Sequence, residues 1–355
     1  MMTNKLFYRF CRATVILCSC LLLVCSCSKD DDPGNGQNPG NSNTGENVYI
    51  AGYEGNVAKY WKNGVATSLT DGTKNAYATD IFVSGNDVYV AGGEGEAAKY
   101  WKNGKAVVLS ELSKNETAEA IFVSGSDVYV AGAAEEGLIL TAKYWKNGVP
   151  VILSKLDSYA WDIFVSGGDV YVAGGSKSGK AMYWKNGKEV YLTDGGAGAI
   201  FVSGNDVYVA GVEDSKVENE YYTYYTYIIK YWKNGNALNL TDGKNDAMVT
   251  DIFVSGNDVY VCGYEATSIK VYGAYGSGDD YQAKYWKNGE EILLTDKETD
   301  SFAYKIYVSG NDVYVAGAER HAATGKYVAK YWKNGTAIAL SDGTQHAEAY
   351  SIVVK

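Results

Sequence analysis

One unit recurs seven times from residue 47 onward, and no other feature restricts the fold as much. Its fullest copy reads Asp80-Ile81-Phe82-Val83-Ser84-Gly85-Asn86-Asp87-Val88-Tyr89-Val90-Ala91-Gly92, then Lys99-Tyr100-Trp101-Lys102-Asn103-Gly104 and Leu109. The Tyr returns at Tyr49, Tyr89, Tyr129, Tyr171, Tyr208, Tyr260 and Tyr314, and the Trp at Trp61, Trp101, Trp145, Trp184, Trp232, Trp286 and Trp332, at spacings of 37 to 54 residues. Ile81–Val83, Val88–Ala91, Ala98–Lys102 and Lys105–Leu109 read as four strands, a to d, with Gly85-Asn86 and Asn103-Gly104 as two-residue hairpin turns. Asn-Gly stands at the second turn in all seven units. Four short strands at a period near forty predict the blades of a β-propeller. The chain's 41 Gly, 32 Tyr and only 3 Pro suit many strands and tight turns.

The a–b connection is too short to cross a blade and the d–a connection is long enough, so strand a is innermost. The first unit opens at Asn47-Val48-Tyr49 without a strand a, and Ser351-Ile352-Val353-Val354-Lys355 supplies one. The expected fold is therefore all-β: a seven-bladed β-propeller with four antiparallel strands per blade, closed by the C-terminal strand completing the first blade. The Val-Tyr-Val-Ala-Gly layout resembles the YVTN and NHL-type propellers. Tyr-Trp-Lys-Asn-Gly departs from the usual YVTN pattern, so that resemblance implies a fold and no activity.

Lys5, Arg9 and Arg12 precede an apolar run, Ala13 to Val24, and then Val24-Cys25-Ser26-Cys27-Ser28-Lys29-Asp30-Asp31-Asp32. The run is too short and Cys-rich for a comfortable transmembrane span. A small residue before a Cys resembles the bacterial lipoprotein signal, which implies cleavage and acylation at Cys27, with Cys25 as the alternative. The acidic run resembles the export signal of Bacteroidetes surface lipoproteins, which implies display on the outer membrane. The organisation expected is a signal peptide over 1–26, a lipidated Cys and polar tether over 27–46, and the propeller over 47–355. Five of six Cys fall at or before Cys27, and Cys262 reads as a buried small residue.

Net charge is −10; the first 26 residues carry three cations and no acid, leaving −13 for the rest. That balance argues against a nucleic-acid partner, which needs a basic face. No cofactor is expected, and the propeller should be monomeric.

The a–b and c–d turns are nearly identical in every unit, whereas the b–c and d–a loops vary. Variable loops on a rigid scaffold are where binding residues collect. The longest b–c loops are Val212 to Ile229, with Tyr221, Tyr222, Tyr224, Tyr225 and Tyr227, and Tyr264 to Gln282, with Tyr272, Tyr275 and Tyr281. Two neighbouring Tyr-rich ribbons are expected there. Either they form a wall that contacts a glycan or protein, with Tyr222, Tyr224, Tyr225, Tyr272 and Tyr275 as contacts, or they cover one another as hairpin extensions. The two positions before strand a should sit at the channel mouth: Thr79-Asp80, Glu119-Ala120, Trp161-Asp162, Gly198-Ala199, Thr250-Asp251, Tyr304-Lys305 and Tyr350-Ser351. Trp161, Tyr304 and Tyr350 are binding candidates. Asp80, Asp162 and Asp251 are better read as caps of backbone amides than as ligands for a metal. A hydrolase or lyase on the same face, using loop carboxylates or His321 and His346, is the competing reading. Metalloprotease, P-loop and nucleophile-elbow motifs do not occur in the sequence.

Overall fold

The computed structural model describes residues 45–110, 115–136, 139–218, 223–267 and 280–355. Every element among them is a strand. The second repeat is the simplest: strands Ala76–Ser84, Asp87–Glu94, Ala97–Lys102 and Lys105–Val108 form one antiparallel sheet in sequence order. The sixth and seventh repeats do the same. In the first, the inner strand is Ala347–Val354, which pairs with Val48–Glu54 in the register Val48↔Val354, Tyr49↔Val353 and Ile50↔Ile352.

Repeats three to five join into one ten-stranded sheet. Separate d and a strands were expected throughout, but here strand d of one repeat runs unbroken into strand a of the next. Val149–Ser166 and Lys188–Ser203 each serve two repeats. The cause is length: the link is residues 154–157 in repeat three and 193–194 in repeat four, against 70–75 in repeat one.

The inner strands pack on one another in a fixed order. Ala76–Ser84 contacts Asn115–Ser124, which contacts Val149–Ser166, then Lys188–Ser203, Ala247–Ser255, Ser301–Ser309 and Ala347–Val354, and this last strand packs on Ala76–Ser84 again. Phe82, Phe122, Phe164, Phe201, Phe253 and Tyr307 occupy one position of successive inner strands, with ring centroids 4.8 to 5.0 Å apart. The seven repeat tryptophans are buried, as is Cys262.

Both hairpin turns have the predicted chemistry. The seven turn asparagines have φ of 50° to 53° and the glycines after them 77° to 89°, the left-handed pair of a type I′ turn. Asn103 also ties the two turns together: its Oδ1 accepts from the Val88 amide at 2.9 Å and its Nδ2 donates to Asp87 at 2.7 Å.

Candidate functional site

The repeat glycine of Val-Tyr-Val-Ala-Gly determines where each inner strand bulges. A Cβ at Gly52, Gly92, Gly132, Gly174, Gly211, Gly263 or Gly317 would lie 1.9 to 2.4 Å from a carbonyl oxygen of the paired inner strand. Beside each glycine that strand carries a bulge, with register shifts at Ala78/Asp80, Ala118/Ala120, Ala160/Asp162, Ala197/Ala199, Val249/Asp251 and Ala303/Lys305, and in the first repeat opposite Ala51/Gly52. The extra residues are Thr79, Glu119, Trp161, Gly198, Thr250, Tyr304 and Tyr350. A bulge re-aims a side chain out of the sheet's alternation, so these seven positions form a separate set on the inner strands.

The residue after each bulge is buried or half-buried. Asp80, Asp162 and Asp251, from repeats two, four and six, accept from the amides of the next repeat, at Ile121 (2.8 Å), Ile200 (2.8 Å) and Ile306 (3.0 Å). Capping is thus their role, as the sequence suggested. The three carboxylates also converge on Lys305, whose ammonium is 3.6, 4.0 and 3.7 Å from Asp80, Asp162 and Asp251. Ser351 completes the circuit by donating to Asp80 at 2.6 Å and accepting from the Ile81 amide at 3.3 Å. Burial pushes the Asp162 carboxyl up, against the pull of Lys305. Burial likewise raises Asp251, to about 7, opposed by Lys305 and reinforced by Asp162. Burial would lower the Lys305 ammonium, but the surrounding carboxylates hold it well above its ordinary value.

Beside this centre lies an aromatic cluster around Glu348, which is 2% exposed. Glu348 accepts from Tyr53 at 2.8 Å, from Tyr304 at 2.5 Å and from His346 Nε2 at 3.2 Å. His346 Nδ1 accepts the Tyr327 amide at 3.4 Å, which places the ring proton on Nε2. Burial, and then the charge of Glu348, keeps both phenols well above their ordinary values, so they remain donors. The Tyr304 and Tyr350 rings meet edge to face at 5.1 Å, and Tyr350 lies 5.7 Å from Tyr53.

The predicted contacts divide accordingly. Tyr304 and Tyr350 come together at half-buried bulge positions, while Trp161 packs on Tyr159 at 5.1 Å. The fifth-repeat ribbon is present: Asp206–Glu218 pairs with Thr223–Lys233 as far as Glu218↔Thr223, with Tyr224 opposite Val217 and Tyr225 opposite Lys216. Tyr225 is 58% exposed. In the sixth repeat, Tyr264 and Tyr281 are buried edge to face at 5.3 Å and pack on Phe302, so these two cover each other rather than forming a wall. Tyr222, Tyr272, Tyr275 and Cys27 lie outside the described residues. His321 is exposed, with Nδ1 3.3 Å from Thr324 Oγ1, and shares no partner with His346.

Sequence reasoning missed the convergence on Lys305 and the Glu348 hub. The signal for the hub was positional: the inner-strand position with Tyr77, Thr117, Tyr159, Gly196, Met248 and Phe302 carries an acid only in the first repeat.

No family model matches this sequence, and no relative is found among curated proteins. Among solved structures, the chain is similar to the tricorn protease at 12% identity, over 81% of this chain and 35% of that one, with a TM-score of 0.32.

Proposed function

We propose that this chain is a surface-displayed binding protein: a seven-bladed β-propeller closed by its C-terminal strand, held to a bacterial outer membrane through Cys27, and contacting a glycan or protein with its variable face. The cyclic contact order of the inner strands and the pairing of Ala347–Val354 with Val48–Glu54 support the closed ring. The leader sequence supports the anchor.

The observation that favours binding over catalysis is the engagement of the acid–base groups near the mouth. Asp80, Asp162 and Asp251 are held by backbone amides and Lys305. Glu348 is held by two phenols and a histidine, and both ring nitrogens of that histidine are used. General acid–base chemistry needs a group free to exchange a proton with substrate. Trp161, Tyr304, Tyr350 and Tyr225 meanwhile keep surface that a ligand can cover. The test is a glycan-array screen of the full-length chain beside a product assay on every glycan retained. Retention without product supports binding; cleavage of a retained glycan would favour the hydrolase or lyase.

A further inference from the structure

We propose a second binding site, for a neutral saccharide, in the cleft between repeats three and four, with the Tyr191 ring as its stacking platform. It rests on the binding reading above, but none of the mouth residues lines it.

The cleft lies where the repeat pattern is cut short. Five repeats have d–a links of six residues, at 70–75, 110–115, 241–246, 295–300 and 341–346; the two consecutive exceptions are 154–157 and 193–194. In three of the full links an Asp folds the chain back: Asp71 accepts from the Thr73 amide at 2.9 Å, Asp242 from the Lys244 amide at 3.0 Å and Asp342 from the Thr344 amide at 2.9 Å. Repeats three and four have shorter links, and a cleft of about 650 Å³ is bordered by Ser154, Leu156 and Asp157 of the first and by Glu189 and Tyr191 on the strand that leads into the second. Such a volume falls within the range of small-ligand sites, roughly 300–1,000 Å³.

The lining is suited to a sugar. Met182 is buried in it, and Leu156 and Tyr191 are 72% and 55% exposed. Tyr191 is held in place: its hydroxyl donates to Asp194 at 2.8 Å, and the Lys180 ammonium, 2.7 Å from that carboxylate, lies 5.0 Å from the ring centroid. A fixed, half-open aromatic face offers contact area at little entropic cost. The two lysines of the described lining are already neutralised, Lys180 by Asp194 and Lys177 by Asp157 at 2.9 Å, so neither is an unpaired cation for an anionic ligand. Ser176 and Ser178 share one hydrogen bond at 2.8 Å and retain further acceptor capacity. An aromatic plane edged by hydroxyls, two paired lysines and the exposed Glu189 carboxylate, which can accept from sugar hydroxyls and disfavours an anion, fits a neutral pyranose, with its C–H face and its ring of hydroxyls, better than an anionic or wholly apolar ligand.

The experiment is calorimetric titration of the full-length chain with cello-, xylo-, manno- and N-acetylchito-hexasaccharides and with a neutral decapeptide. At least one hexasaccharide should bind. Tyr191→Ala should weaken that binding by about tenfold or more without moving the melting temperature, and Tyr191→Phe should retain most of it. Inserting Gly-Thr-Lys-Asn after Asp194, which restores a six-residue link, should abolish binding in a folded protein. Absence of binding by any hexasaccharide, preference for the peptide, or undiminished binding by Tyr191→Ala would overturn the proposal. Loss with Trp161→Ala but not Tyr191→Ala would also overturn it, while leaving the binding function intact at the mouth.

Discussion

The Lys305 ammonium lies 3.7 Å from the Asp251 carboxylate of the preceding repeat, and the same ammonium reaches Asp80 and Asp162 of repeats two and four. One cation therefore compensates three carboxylates whose other bonds fasten each repeat to the next. Removing one partner of a buried ionic group leaves uncompensated charge, at a cost of about 3–5 kcal/mol. Lys305→Ala should lose stability of that order in denaturant unfolding. A loss below about 1 kcal/mol would mean that the carboxylates do not depend on Lys305.

The same cluster sets a pH dependence. Burial raises Asp251 to about 7, so between its unfolded value and 7 the folded chain holds a proton that the unfolded chain has released. Stability from this group is greatest at the acid end and declines as pH rises through 7. Unfolding free energy should fall between about pH 4 and about pH 7 and level off above, and Asp251→Asn should flatten the slope. A slope unchanged in Asp251→Asn would assign the dependence to other groups.

Gly132 marks the point where a bulged strand meets its partner. An added Cβ would lie 1.9 Å from the Thr117 carbonyl oxygen, whereas one at Gly125, in the a–b turn, meets open space. Gly132→Ala should cost several-fold more than Gly125→Ala, whose penalty is the left-handed backbone alone, about 1 kcal/mol. Equal thermal shifts would contradict the bulge geometry.

Tyr225 and Tyr53 should behave oppositely. Tyr225→Ser changes an exposed ribbon position and should leave melting unchanged. Tyr53→Phe removes a donor from buried Glu348 and should cost about 1–3 kcal/mol. Similar shifts for both variants would remove the distinction between ribbon surface and hub.

The repeats were legible because each unit states its own turns: Asn-Gly for the type I′ hairpin, alternating Val-Tyr-Val for a strand buried on both faces. The capping role of Asp80, Asp162 and Asp251 was legible from their place before strand a. The meeting of these acids with Lys305 was not, because it depends on the inner strands of four repeats being brought together. The Tyr-rich loops looked uniform in sequence, yet Tyr264 and Tyr281 are buried on Phe302 while Tyr225 faces solvent, a division set by packing. The shortened links after repeats three and four were visible in the spacing, but the cleft bordered by Ser154, Leu156 and Asp157 of the first is a property of neighbouring segments in space.

The most direct test of the proposed binding function is capture of glycans by the full-length chain, followed by recovery and analysis of what was captured. The expected result is retention of a defined glycan, recovered with its linkages intact, and loss of retention when the variable face is altered through Trp161→Ala, Tyr304→Ala and Tyr191→Ala together. Shortened or unsaturated products in the recovered glycan, or retention unaffected by the triple variant, would contradict a non-catalytic binding propeller that works through this face.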